Sequence, residues 1–341
     1  MRDQSLDQLL DAALGHAVAD EPTLSEVDVA KGKLELATAL RIHRQAPKRR
    51  TPWLVAAAAV AVLSAGGLVL QTVDFTGNGP SSTATAAESL NRAADLAAGV
   101  SDQLLSPSQY RYVRSRYRGI TLSWGTDEAY ASGVLNEAWI PTDPRQEWME
   151  RQVDDGPTEW LPGHEGTGTP PGNGGRNGEF RARCGNFGYF SADTPDRCTH
   201  GGWNNPTPEF LAALPTDPKE LYRRLVADGR NGDAGALTLV RDALTSGRIP
   251  AAQRALLYRA LANAAGIQIT DNRANLDGAE GMALGIRVGE DFQEIIINPA
   301  DGAFIGWREV VAVDGVLSKG TVRQSSATTT GVADVLGTRP N

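Results

Sequence analysis

Between residues 51 and 73 the chain runs for 23 positions without a charged side chain, and residues 53–70 consist only of Leu, Val, Ala, Gly, Ser and Trp. About 20 mostly apolar residues, rising about 1.5 Å each, cross a hydrocarbon core about 30 Å thick, so this stretch predicts a transmembrane helix. Its eight Leu and Val residues each favour insertion by roughly 0.3–0.6 kcal/mol, which outweighs the losses at Ser64, Gly66 and Gly67. Arg41, Arg44, Lys48, Arg49 and Arg50 crowd the N-terminal flank, whereas the first charges beyond the span are Asp74 and Glu88. The positive-inside rule therefore puts the N-terminus in the cytoplasm and the C-terminal part outside, with Trp53 as an interfacial anchor. A cleaved signal peptide fits poorly, because its apolar core normally spans only about 7–15 residues. A buried helix of a soluble core fits poorly too, since such a helix keeps a polar face. Ala57, Ala61 and Ala65 form a small-xxx-small stripe that would let two such helices approach closely, although so Ala-rich a segment produces one by chance.

Before this span, Ser5-Leu6-Asp7-Gln8 and Thr23-Leu24-Ser25-Glu26 both match a capping box, which predicts two short helices within residues 1–50. Leu6, Leu9, Leu10, Ala13 and Leu14 recur at helical spacing in the first, and Val27, Ala30, Leu34 and Ala37 in the second. So short a segment buries little area alone; its apolar stripes either close on each other or dock on a cytoplasmic partner by helix-in-groove recognition.

After the span, residues 74–86 are rich in Gly, Ser and Thr and predict a flexible linker. The outer domain is expected over 87–323, beginning with a helix at 88–105. Aromatic and β-branched stretches at 109–124, 133–140 and 146–153 predict strands in an antiparallel meander. Residues 154–208 lose periodicity and predict a long Gly/Pro-rich loop or insertion over the sheet. Helices return at 218–227, 234–245 and 251–264, marked by stripes such as Leu221/Leu225 and Leu237/Val240/Leu244. Strands follow at 281–288, 292–298 and 304–313, and the tail from 324 to 341 reads as frayed. The fold class expected is therefore α+β: a short N-terminal helix pair, one transmembrane helix, and an ectodomain of antiparallel sheet packed with helices.

Composition adds little to this outline. Net charge is −8, the pI is about 5.2 and mean hydropathy is −0.30, an average that hides the apolar span. No basic stripe suited to neutralising phosphates is present, so a nucleic-acid partner is not expected. The two cysteines, Cys184 and Cys198, fall in the predicted exterior, where a disulfide is the natural state. A Cys2His2 metal site with His164 and His200 lacks the short paired ligand steps of zinc sites, and no metal or cofactor is expected. Arg111, Arg114, Arg116 and Arg118 lie on one strand among Tyr110, Tyr112 and Tyr117. Tyr112, Arg114 and Arg116 are the candidate ligand-facing residues, for an acidic ligand or lipid headgroup; the plainer alternative is the solvated face of a strand. Hydrolase, metalloprotease, P-loop and dinucleotide fingerprints are lacking, so catalytic residues are not assigned and an enzyme is not expected.

Gln109-Tyr110-Arg111-Tyr112-Val113-Arg114, Glu137-Ala138-Trp139-Ile140-Pro141, Leu214-Pro215-Thr216-Asp217-Pro218 and Ile305-Gly306-Trp307, with the tail–span–ectodomain layout, resemble an uncharacterised family of actinobacterial single-pass membrane proteins. The layout is similar to that of membrane-bound anti-sigma factors, and the outer half loosely resembles lipoprotein-carrier and sigma-regulator folds. The resemblance implies a curved antiparallel sheet wrapping a helix, a lipid or apolar ligand outside, and a sigma factor or other protein as cytoplasmic partner. It carries no catalytic residues. The short cytoplasmic part without zinc ligands departs from the anti-sigma pattern.

Two functions are expected in consequence. The first is a non-enzymatic envelope sensor or regulator in the cell membrane. The second is a membrane-anchored extracytoplasmic binding module for a lipid or other apolar ligand. An anchored hydrolase trails both.

Overall fold

Five helices and ten strands make up the structure, a computed structural model that describes residues 73, 83–123, 125–172, 177–187 and 196–340. All of these lie in the second of the chain's two compact units, Val60–Asn341. The predicted cytoplasmic helices and, apart from Val73, the predicted transmembrane segment lie outside the described residues. Among the described residues no helix is long and apolar enough to cross a membrane.

The elements are α1 (Thr83–Ala98), β1 (Tyr110–Leu122), β2 (Ala129–Pro141), β3 (Glu147–Asp154), β4 (Glu159–Trp160), β5 (Gly178–Arg183), α2 (Pro208–Ala212), α3 (Pro218–Gly229), α4 (Gly232–Thr245), α5 (Ala251–Leu261), β6 (Gln268–Leu276), β7 (Ala279–Val288), β8 (Asp291–Ile297), β9 (Phe304–Val311) and β10 (Val322–Ala333). The expected α+β class with an antiparallel sheet is what these elements build. One ten-stranded sheet runs β5-β3-β2-β1-β10-β9-β8-β7-β6, with β4 paired to β2. Strands from before the helices form one half and strands from after them the other, and the first and last strands join the halves in register from Tyr110↔Ala333 to Gly119↔Gln324.

Three expectations need correction. The tail is not frayed from 324: Val322–Ala333 is a central strand between β1 and β9, and its Ser325 and Ser326 are buried. The first helix starts at Thr83, inside the expected linker, and ends at Ala98. The 154–208 stretch is not a plain loop, since it holds β4 and β5 and ends at the first residue of α2.

Local chemistry explains the helices. Asp217 caps α3, its carboxylate accepting from the Lys219 and Glu220 amides at 3.0 Å, and Pro218 occupies the first turn, where its missing N–H costs nothing. The Asp102 carboxylate accepts from the Ala251 amide at the head of α5, at 2.9 Å. In α1, Ala86, Leu90, Ala93, Ala94 and Ala97 form a buried stripe against the core. Gly229 and Gly235 meet where α3 and α4 cross, so close that a Cβ on Gly229 would stand 2.5 Å from the Gly235 carbonyl carbon.

Side-chain alternation gives the sheet two unlike faces. The helical layer packs on one of them, against Ile269, Leu284, Ile286, Ile295 and Ile297. The opposite face carries a smaller cluster of Ala274, Leu276, Ala283, Ile296, Ile305 and Ala327, and a second around Tyr112, Trp139 and Met149. Val73 donates to the Gly320 carbonyl at 2.7 Å, so the chain enters the domain beside the β9–β10 connection.

Candidate functional site

Register places Arg114, Arg116 and Arg118 of β1, Glu137 of β2 and Arg151 of β3 on the face away from the helices. Tyr112, expected to face a ligand, is instead buried: its hydroxyl donates to Glu137 Oε1 at 2.5 Å and its ring lies 5.4 Å from that of Trp139. Arg114 pairs with Asp277 at 3.2 Å; Arg116 reaches both Asp277, at 2.5 Å, and Asp155, at 3.0 Å. The Asp277 hydrogen bond is foremost in raising the Arg116 pKa. These three residues are thus engaged by the protein's own acids.

Glu137 is the hub of this face. The C-terminal segment folds back so that Arg339 donates to its two oxygens at 2.6 and 3.0 Å, while the Trp139 indole N–H donates to the Thr338 carbonyl at 2.6 Å. Burial pushes the Glu137 carboxyl up, but hydrogen bonds from Arg339 and Tyr112, with the Arg339 and Arg151 charges, hold it below the usual glutamate range. Farther along, Arg308 bonds Glu294 at 2.5 Å and Asp271 at 3.0 Å, with Arg308 and Glu294 both buried.

An apolar opening lies on the helical side. A cavity of about 150 Å³ is framed by Trp203, Phe210, Leu214, Leu221, Ile249 and Leu257, with Thr216 and Gln253 as polar groups in its lining. Trp203 is fixed at both ends: its indole N–H donates to Asp228 at 2.9 Å, and its ring meets Phe210 edge-on at 5.2 Å. Thr207 caps the five-residue α2 and so aims Phe210 inward. Neither aromatic was singled out from the sequence. The available signal was a lone Trp in the polar run Gly201-Gly202-Trp203-Asn204-Asn205, since a residue that buries about 150–250 Å² seldom sits in a loop without a purpose.

Cys184 and Cys198 form the expected disulfide, with Cα atoms 5.2 Å apart. The bond removes both sulfurs as thiolate ligands; His164 and His200 contact the Asp127 carbonyl and the Thr199 hydroxyl respectively. It also ties the end of β5 to the segment leading into Trp203, and so braces the cavity wall. No protein-family model and no curated protein matches the chain.

Proposed function

We propose that the chain is a single-pass, non-enzymatic envelope sensor or regulator whose outer domain takes a small apolar group into the cavity behind Trp203 and Phe210. That cavity is the observation that carries the reading. An apolar void of about 150 Å³ accepts a molecule the size of benzene, whereas drug-sized ligands need about 300–1,000 Å³. The ligand group is therefore a single ring or short aliphatic chain, such as a peptide side chain, and not the two acyl chains of a lipid.

Membrane anchorage is supported by the uncharged run at 51–73 and by its five basic flanking residues. A regulatory output requires residues 1–50 to hold a cytoplasmic partner, for which a sigma factor is the first choice. An anchored module that only binds would use the same cavity and need no such partner.

The experiment is a benzene and indole titration of the full chain in detergent micelles by calorimetry. One saturable site is expected, weakened at least tenfold by Leu256→Phe, which fills the cavity from its lining. Absence of saturable binding, or binding indifferent to that substitution, sinks the cavity as the ligand site.

A further inference from the structure

A second, smaller pocket of about 60 Å³ lies against the disulfide, with Asp143, Arg145, Trp148, Arg197, Asn205 and Arg248 in its lining. Arg248 follows Gly247, whose positive φ of 64° turns the chain out of α4 so close to β1 and β10 that a Cβ there would stand 2.6 Å from Val113 Cγ2. The turn delivers the guanidinium into the pocket, 4.7 Å from the centre of the Trp148 ring, where it donates to Asn205 Oδ1 at 2.9 Å. Asn205 is held for that role, since its amide nitrogen donates to the Arg197 and His200 carbonyls at 3.0 and 3.1 Å.

Among the described residues no carboxylate pairs with Arg248, in contrast to Arg114, Arg116, Arg151 and Arg308. The charges that act on it, those of Arg197 and Arg111, are of its own sign. Burial, then Arg197 and Arg111, pull the Arg248 guanidinium below the ordinary arginine range, to about 9. Burial likewise lowers Arg197 and Arg111, against the opposing charges of Glu150 and Asp102 respectively. Of the acids in the lining, Asp143 is taken by Arg145 at 3.1 Å and Glu209 sits in the first turn of α2. Like charges gathered in a partly desolvated pocket repel, and a bound anion with two or more oxygens relieves that cost through charge-assisted hydrogen bonds.

We propose that this pocket is an oxyanion site, in which Arg248 and Arg197 hold a carboxylate or phosphate group beside the Cys184–Cys198 bond. Its volume takes roughly four water-sized spheres, enough for such a group and too little for a larger anion's body, which must project outward. The site is independent of the apolar cavity, although Asn205 and Phe210, five positions apart, belong to one short segment that lines both.

The test uses the full chain in non-ionic detergent, with inorganic phosphate and acetate as separate probes at constant ionic strength, followed by calorimetry and thermal melting. One saturable site per chain and a raised melting temperature are expected with at least one probe; phosphate alone identifies a phosphorylated ligand, acetate alone a carboxylate. Arg248→Gln should weaken binding tenfold or more and abolish the anion-dependent shift. Arg197→Gln should do the same to a smaller degree and serves if the first variant does not fold. Failure of the wild-type chain to bind either probe, or affinity unchanged in the variants, overturns the proposal. A melting temperature lowered equally by Arg248→Gln in chloride, phosphate and acetate would also overturn it, because a purely structural arginine behaves that way.

Discussion

Arg339→Ala removes a side chain from a segment that the sequence marks as frayed but the structure ties to a buried carboxylate. The lost contacts are two hydrogen bonds to Glu137, at 2.6 and 3.0 Å. A hydrogen bond to a charged group contributes about 1.5–3 kcal/mol. The Arg339 side chain is 61% exposed, so solvent screening lowers the expectation to about 1–2 kcal/mol. Glu137 keeps Tyr112, and Arg151 at 3.8 Å, so the loss stays short of that for an orphaned buried charge. Because the folded-state pKa of Glu137 is depressed, its contribution is present above the unfolded value, about 4.3, and fades as pH falls through the folded value. The gap between wild type and Arg339→Ala should therefore narrow towards zero in acid. Urea denaturation of the full chain, followed by tryptophan emission at pH 7 and pH 3, measures both quantities. A double-mutant cycle with Glu137→Gln should return a coupling of about 1–2 kcal/mol at pH 7. Coupling under about 0.3 kcal/mol, or an equal deficit at both pH values, refutes the reasoning.

Reduction of the disulfide, or paired Cys184→Ser and Cys198→Ser, should cost about 3 kcal/mol from the chain entropy of a closed loop with a sequence separation of 14, read as a lowered urea midpoint. Arg308→Leu leaves Glu294 buried without its principal partner and should cost about 3–5 kcal/mol by the same denaturation. Gly235→Ala gains about 1 kcal/mol of helix propensity, yet the new methyl overlaps Gly229 at the α3–α4 crossing; a net loss of about 1–2 kcal/mol is expected, and a stabilised variant would show that the crossing tolerates the methyl.

What could be read in the sequence followed from periodicity. Leu221 and Leu225, or Met282, Leu284, Ile286 and Val288, declare their faces because one side of each element meets the core. β10 hid because its neighbours leave room only for small side chains: Ala327 lies between Gly306 and Arg116, and the run Ser325-Ser326-Ala327 is buried without any large apolar residue. Its one legible cue was Thr328-Thr329-Thr330, a β-branched run. β6 was obscured by register shifts at Ile269/Asp271 and Asp271/Ala274, which break the alternation that identifies a strand. The site was less legible than the fold. Nothing in the local sequence distinguishes Arg116, satisfied by two aspartates far along the chain, from Arg248, which ends among arginines; pairing over such separations is decided by topology.

Envelope sensing requires residues 83–340 to lie outside the cell and residues 1–50 inside. Protease protection of the full chain in intact spheroplasts, with a tag at each end, tests this most directly. External protease should remove the C-terminal tag and leave a protected N-terminal fragment that includes the apolar run. A C-terminal tag that survives until the membrane is lysed would contradict the topology, and with it the envelope-sensor function.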